Sequence, residues 1–231
     1  MTRSWRPAAA AVRLTRGRVG DRLTARVELA GVEDTPSAAE GGSADVLLGF
    51  CAPRRRRLYV NALPPLGMLY IVSYLEAHGV GTDVIDCQVD DPARCDPGRY
   101  RIVGFSVNVS NVESSLEWMR RIRREHPHVR IVVGGPHCTS DPDFFIRQDC
   151  VDAACVGEGE AALLDYVQSR PSIPGMLVKR EDGAVVYPGP RPPQEPLDAL
   201  PLPALDKVDV ARYRYHPRRG RPISSVMTSR G

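Results

Sequence analysis

The stretch from Val129 to Thr139 constrains the fold most, because it combines a buried strand with a tight turn. Four of the five residues 129–133 are apolar and β-favouring, which is typical of a strand covered on both faces of a parallel sheet. Gly134 and Gly135 end the strand, and paired glycines let a backbone approach a ligand closely. Open α/β sheets bind ligands at the carboxyl ends of their strands. We therefore expect a ligand at this turn.

Strands of this kind alternate with helices from residue 45 to residue 167. The alternation predicts an α/β fold: a doubly wound, five-stranded parallel sheet of flavodoxin-like (Rossmann-like) type, with strand order 2-1-3-4-5. A Rossmann strand order remains the alternative, since it uses the same elements. The predicted strands are 45–50, 81–87, 101–105, 129–133 and 151–156.

Four segments follow from this pattern. Residues 1–44 are rich in arginine, and we expect a mobile N-terminal extension. Residues 45–170 form the main domain. Residues 171–221 contain a hairpin about the Asp182-Gly183 turn and then a proline-rich linker. Residues 222–231 begin a further strand.

Charge and cysteine content limit the partners and the compartment. Lysine and arginine number 31 against 28 acidic residues, a balance that does not favour a nucleic-acid partner. No apolar run approaches the roughly 18 residues of a membrane span, so we expect no membrane partner. The six cysteines lack paired spacing, which indicates free thiols in a reducing compartment, by default the cytoplasm.

Four loops should meet at the carboxyl edge of the sheet: 51–63, 106–111, 134–139 and 157–160. They supply small residues, hydroxyls and helix N-termini, which favour a polar or anionic ligand group. No Gly-x-Gly-x-x-Gly follows the first strand, so a dinucleotide is disfavoured. His137 could contact a ligand or metal, or bond its own loop. Glu158 and Glu160 could accept ligand hydroxyl protons or complement a helix dipole. No residue is predicted to be catalytic.

Several short motifs occur in a characteristic order. They are Pro64–Tyr70, Tyr74–Gly79, Val103–Ser106, Val133–His137 and Val156–Glu160. Together they resemble the cobalamin-binding domain of cobalamin-dependent radical S-adenosylmethionine enzymes of the class B methyltransferase type. The resemblance covers about residues 45–231.

The resemblance implies that cobalamin lies on the carboxyl edge of the sheet, with its nucleotide tail in a groove at the sheet. The implied cofactor-binding residues are Leu66, Gly67, Ser106, Asn108, Gly134, Gly135, Pro136, His137, Gly157 and Glu158. Other cobalamin proteins use an Asp-x-His-x-x-Gly histidine to ligate cobalt. His78 has a superficially similar context, but it ends the first helix at the opposite edge, so we do not expect it to ligate cobalt.

In the family, a Ser-Arg-Gly lies just before a Cys-x-x-x-Cys-x-x-Cys motif that holds an iron-sulfur cluster. The present sequence stops at Ser229–Gly231, and none of its cysteines has that spacing. We therefore expect a cobalamin module that is not catalytic alone, with residues 222–231 as the start of a truncated radical S-adenosylmethionine barrel. A barrel in cis or in trans would supply the cluster and S-adenosylmethionine of a complete methyltransferase.

The alternative is a flavodoxin-like, non-catalytic binding or regulatory module for another cofactor. A receiver domain would place an acidic pair after the first strand, where the sequence has Gly49-Phe50-Cys51. A flavin carrier would place a hydroxyl-rich loop there, and prolines and arginines follow instead. A nucleotide-sugar transferase domain fits the fold but does not explain the motif order.

Overall fold

The computed structural model describes residues 12–19, 22–29, 44–54 and 63–213, together with 225 and 227. The expectations for the rest of 1–44, for most of the 51–63 loop and for most of 222–231 lie outside these residues. The chain forms two compact units, Met1–Gly42 and Ser43–Gly231. In the first, β1 (Val12–Val19) pairs antiparallel with β2 (Arg22–Leu29). Sequence analysis did not predict this hairpin, and the mobility of residues 1–44 stays a prediction.

The second unit alternates strands and helices. Its described strands are β3 (Val46–Phe50), β4 (Thr82–Asp86), β5 (Ile102–Ser106), β6 (Arg130–Gly134), β7 (Ala153–Cys155), β8 (Met176–Lys179) and β9 (Val185–Val186). Its described helices are α1 (Leu66–Ala77), α2 (Val112–Glu125), α3 (Pro136–Ser140), α4 (Pro142–Ile146) and α5 (Glu160–Val167).

The strands form one sheet in the order β4-β3-β5-β6-β7-β8-β9. The first five are parallel and follow the predicted order 2-1-3-4-5, so the α/β flavodoxin-like fold is confirmed. The predicted strand count of five is wrong, because the sheet has seven strands. The predicted hairpin joins it: β8 pairs antiparallel with β7, and β9 with β8. An edge strand offers unpaired backbone groups, and β8 satisfies those of β7.

Two hydrophobic cores lie on the two faces of the sheet, because neighbouring residues of a strand point to opposite faces. Leu48 packs with Val72 of α1 and Leu163 of α5. Leu47 packs with Met119 of α2 and with Phe145 of α4 on the other face. The layers are therefore α1 and α5, the sheet, and α2 to α4.

The end of the described chain packs back on this unit. Ala204 and Tyr213 are buried, the Ala204 N–H donates to the Leu69 carbonyl at 3.1 Å, and the Tyr213 hydroxyl donates to Asp86 at 2.9 Å. Residues 204–213 are thus held against α1 and the end of β4. Among the described helices, none has the length and apolar content needed to cross a lipid bilayer.

Candidate functional site

A cavity of about 450 Å³ lies at the carboxyl ends of β5, β6 and β7, on the face covered by α1 and α5. Its walls are mostly apolar, with Met68 and Ile71 from α1 and Leu163 from α5. A volume of this size falls within the range of about 300–1,000 Å³ that small-molecule sites occupy.

Glycines make up much of the floor of the cavity. Gly104 and Gly134 belong to β5 and β6 and both line it. A Cβ at Gly104 would lie 2.6 Å from Cδ2 of Leu48, whereas one at Gly134 would lie 3.6 Å from Cβ of Cys155. A side chain at 104 would therefore require the buried Leu48 side chain to shift. Because residue 134 is glycine, free space remains above the sheet that a side chain would fill.

The turn after β6 requires a glycine at position 135. Gly135 has a φ of 95°, and a Cβ there would lie 2.7 Å from both N and O of Val107. This close approach joins two loops, because the Val107 N–H donates to the Gly134 carbonyl at 2.8 Å and the His137 N–H donates to the Val107 carbonyl at 3.1 Å. The loops after β5 and β6 thus form one rigid edge.

The loop after β5 is fixed by two asparagines. The Asn108 side-chain oxygen accepts from the N–H groups of Ser110 at 2.9 Å and Asn111 at 3.1 Å. The buried Asn111 amide donates to the carbonyls of Cys51 and Ser106, both at 3.2 Å. Asn108 therefore stabilises its own loop, and Asn111 ties that loop to the end of β3.

The loop after β7 brings two carboxylates to the cavity. Gly157, with a φ of 83°, donates its N–H to Thr139 Oγ1 at 3.1 Å. Glu158 accepts from the Gln194 N–H at 2.6 Å, and Glu160 is 3% exposed at the start of α5. Burial raises the pKa of Cys155 to about 12, so its thiol lines the cavity as a neutral group.

The N-termini of α1, α3 and α5 point to the same edge, and none makes a side-chain cap hydrogen bond. Backbone N–H groups at such ends favour polar or anionic ligand groups. Among the described residues, no three His, Cys, Asp or Glu side chains form a group that could hold a metal ion.

Most of the predicted cofactor-binding residues come together here. Those lining the cavity are Gly67, Ser106, Gly134, Gly135, Pro136, Gly157 and Glu158. Leu66, Asn108 and His137 do not line it. The His137 ring stacks on Phe144 with centroids 6.3 Å apart, and its Nδ1 is buried with no hydrogen-bond partner in the described part of the chain. Whether any of the ten contacts a cofactor stays a prediction.

His78 lies at the C-terminal end of α1, where its Nδ1 is 2.8 Å from the Tyr74 carbonyl oxygen. This end leads into β4, so it lies at the amino edge of the sheet, opposite the cavity.

The predicted cofactor-binding residues leave out most of the cavity walls, although the sequence does indicate Glu160 as a possible ligand contact. The additional lining residues are Leu48, Met68, Ile71, Gly104, Phe105, Val132, Cys155, Gly159, Glu160, Leu163, Met176 and Met227. The alternation of strand residues contains a signal for some of them, since Gly104 and Val132 each lie two residues before a predicted contact on the same face. No local pattern indicates Met176 or Met227, which reach the cavity from distant parts of the chain.

Part of the chain is similar to known proteins. Residues 58–167 match the B12 binding domain family. The chain is similar to the uncharacterized methyltransferase PH0819 of Pyrococcus horikoshii, with 31% identity over 189 residues that cover 76% of this chain and 40% of that protein.

Two further similarities are more local. Cobalamin-dependent radical SAM methyltransferase TokK of Streptomyces tokunonensis is 32% identical over 95 residues, covering 38% of this chain and 14% of that protein. The 2-(S-pantetheinyl)-carbapenam-3-carboxylate methyltransferase of Streptantibioticus cattleyicolor is 32% identical over 108 residues, covering 43% and 15%. The chain thus spans two fifths or less of the length of these relatives.

The fold also matches a solved structure. The cobalamin-dependent S-adenosylmethionine radical enzyme OxsB, with aqua-cobalamin and S-adenosylmethionine bound, superposes with a TM-score of 0.56 at 21% identity, over 70% of this chain and 24% of that chain. At this identity the match shows a shared fold. Together, the matches confirm the resemblance seen in the sequence: residues 58–167 match the B12 binding domain family, and the chain is similar in sequence to a cobalamin-dependent radical SAM methyltransferase.

Proposed function

We propose that this chain binds cobalamin, with the nucleotide tail in the cavity between the sheet and α1 and α5, and the corrin ring over the carboxyl edge. The observation that carries the proposal is the position of the cavity. Most of its lining residues belong to the segment 58–167 that matches the B12 binding domain family, and residues from the loops after β5, β6 and β7 line it.

The shape of the cavity supports the proposal. A floor of Gly104 and Gly134 leaves a slot between the sheet and two helices, which suits the flat base of the tail. The cavity volume of about 450 Å³ is too small for a whole corrin ring. The ring would therefore lie outside, against the turn at Gly135 and Pro136.

Polar groups at the mouth support it as well. Ser106 and Glu158 line the cavity beside apolar walls, an arrangement in which a few polar groups orient a largely apolar ligand. The hydroxyl of Ser106 can donate to an oxygen of the tail. The carboxylates of Glu158 and Glu160 can accept from ribose hydroxyls or from amide N–H groups of the cofactor.

Bound cobalamin would supply methyl-transfer chemistry, as a cofactor carries the reaction that protein side chains cannot. The residues described above would bind and orient it. The sequence has no Cys-x-x-x-Cys-x-x-Cys, so we propose that the cluster and S-adenosylmethionine belong to a radical barrel, in cis or in trans. On this proposal, the present segment is not catalytic alone.

The substitution Gly134→Val tests the cavity. Its Cβ would make only an ordinary contact, 3.6 Å from Cβ of Cys155, and valine suits a strand, so the variant should fold. Its methyl groups would occupy the slot, and we expect retention of hydroxocobalamin through a desalting column to fall at least about tenfold, a loss of about 1.4 kcal/mol in binding. Visible absorbance of the eluted protein measures it.

Gly49→Ala is the matched control. Gly49 belongs to β3, but its Cβ would lie on the other face of the sheet, 3.2 Å from the Trp118 ring. We expect this variant to retain cobalamin as the unmodified chain does. Equal retention by Gly134→Val and the unmodified chain would count against the proposed site.

A further inference from the structure

Cys51 and Cys87 are neighbours at the carboxyl ends of two adjacent strands. Phe50 of β3 pairs with Asp86 of β4, and the Cys87 N–H donates to the Phe50 carbonyl at 2.8 Å. The two cysteines each follow one of these paired residues, so they are opposite each other in the continuing register. Neighbouring strands lie about 4.7–4.9 Å apart, which is within the range of about 4.4–6.8 Å that a disulfide requires between Cα atoms.

The two thiols also face the same side of the sheet. Both are buried in the core covered by α2, so the two sulfur atoms lie on the same side of the paired strands.

A second cavity borders the pair. Cys51 and Cys87 line a space of about 840 Å³ on the α2 face, distinct from the proposed cobalamin site. Four arginines line it, Arg54, Arg120, Arg121 and Arg124, against the two acidic residues Glu113 and Glu117. A net positive surround favours anionic reagents.

We propose that Cys51 and Cys87 form a redox-active dithiol site that reacts with small anionic disulfides. The Cys51 thiolate attacks one sulfur of the reagent, a new disulfide bond forms, and the other half leaves as a thiolate. Cys87 then loses its proton and attacks the Cys51 sulfur, which releases the second half of the reagent. Two protein thiols are oxidised to one disulfide, one small disulfide is reduced to two thiols, and the two protons pass to these thiols.

The electrostatic environment agrees with these roles. The neighbouring Cys87 thiol holds the pKa of Cys51 below its ordinary value, although burial opposes this, whereas the neighbouring Cys51 and burial both raise the pKa of Cys87. Burial raises the pKa of Cys95 to about 11, and that of Cys138 to about 12. Cys51 is therefore the attacking thiol and Cys87 the resolving one.

Incubation of the reduced full chain with oxidised glutathione tests the proposal. We expect two of the six thiols to be lost, with a mass decrease of two hydrogens and a peptide that joins Cys51 to Cys87. Cys87→Ser should stop at one glutathionyl group on Cys51, and Cys51→Ser should form neither product. Because these serine variants are nearly isosteric, their circular dichroism checks that the fold is kept.

Cys95→Ser is the matched control, because Cys95 is more exposed than either member of the pair but is not opposite another cysteine. It should form the Cys51–Cys87 disulfide as the unmodified chain does. A disulfide between other cysteines, preferential modification of Cys95, or no disulfide in the folded chain would overturn the proposal. Cobalamin is left out, so the outcome is independent of the proposed function.

Discussion

At the residue scale, Asp86 is a carboxylate whose pKa is raised by burial. It is fully buried at the end of β4, and burial raises its pKa from 3.8 to about 6. Its carboxylate accepts hydrogen bonds from the Gln88 N–H at 2.9 Å, from Gln88 Nε2 at 3.2 Å and from the Tyr213 hydroxyl at 2.9 Å. These bonds lower the pKa but do not offset burial.

The raised pKa predicts a pH dependence of stability. The folded chain still binds the Asp86 proton at pH values where the unfolded chain has lost it. The contribution of Asp86 to the free energy of unfolding is therefore fully present below about pH 4 and is lost as the pH rises through about 6. A shift of about two pKa units corresponds to about 3 kcal/mol. Urea unfolding measures the free energy of unfolding of the unmodified chain and of Asp86→Asn at pH 4 and at pH 7. The stability advantage of the unmodified chain over the variant should fall by about this amount from pH 4 to pH 7. A difference that stays constant with pH would contradict the assignment.

At the element scale, Arg123 shows how α2 is fixed to the sheet. Helical periodicity favours the solvent side of this helix for Arg120, Arg121, Arg123 and Arg124, but Arg123 also contacts the sheet. Its side chain is 26% exposed and pairs with Asp152 at 2.5 Å. Its guanidinium also donates to the carbonyl oxygens of Pro127, Val129 and Cys150. Asp152 in turn accepts from the Ile131 N–H at 2.7 Å. The pair joins the end of α2 to β6 and to the start of β7.

Two substitutions on α2 compare the partly buried Arg123 with the more exposed Arg121. Arg123→Ala leaves Asp152 and several carbonyl oxygens without their donor, and we expect a loss of about 2 kcal/mol in the free energy of unfolding, reduced from the buried-pair range because the side chains are partly exposed. Arg121→Ala removes an exposed guanidinium 3.8 Å from Glu125 and should cost less than about 1 kcal/mol. Urea unfolding curves measure both. Equal losses would show that the Arg123 contacts contribute little.

The elements show what local patterns can predict. Short apolar runs identify the five parallel strands, and the glycines at 134 and 157 mark the turns after two of them. A buried strand and its turn are both encoded within a few residues. The Asp182-Gly183 signal identifies a hairpin, but it does not tell which sheet edge the hairpin will pair with. The role of Arg123 depends on carbonyl groups brought close by the tertiary fold, so helical periodicity alone gives no sign of it.

At the scale of the whole molecule, the second unit gathers its functional groups at one edge of the sheet. Residues 204–213 pack on α1 from a distant part of the chain, and Lys207 pairs there with Glu76 at 2.5 Å. The α1 wall of the cavity is thereby fixed from both sides, by the sheet and by this segment.

The candidate site was predictable in part because many of its residues lie in turns at one edge of the sheet. Residues in the turns, such as Gly134 and Gly157, follow from the rule that parallel strands present their carboxyl ends together. The walls made by Ile71 and Met176 do not, because they depend on how α1 and β8 pack against the sheet. The side chain of Asn108 was expected at the ligand, yet its hydrogen bonds serve the loop itself.

The most direct test of the account compares hydroxocobalamin with dicyanocobinamide, which has the corrin ring but lacks the nucleotide tail. The full chain is incubated with each in turn, passed through a desalting column, and its bound corrin is measured by visible absorbance. If the cavity holds the tail, cobalamin should remain at close to one per chain and cobinamide should be lost. Equal retention of the two, or colourless protein after both, would contradict the claim that this cavity is a cobalamin site.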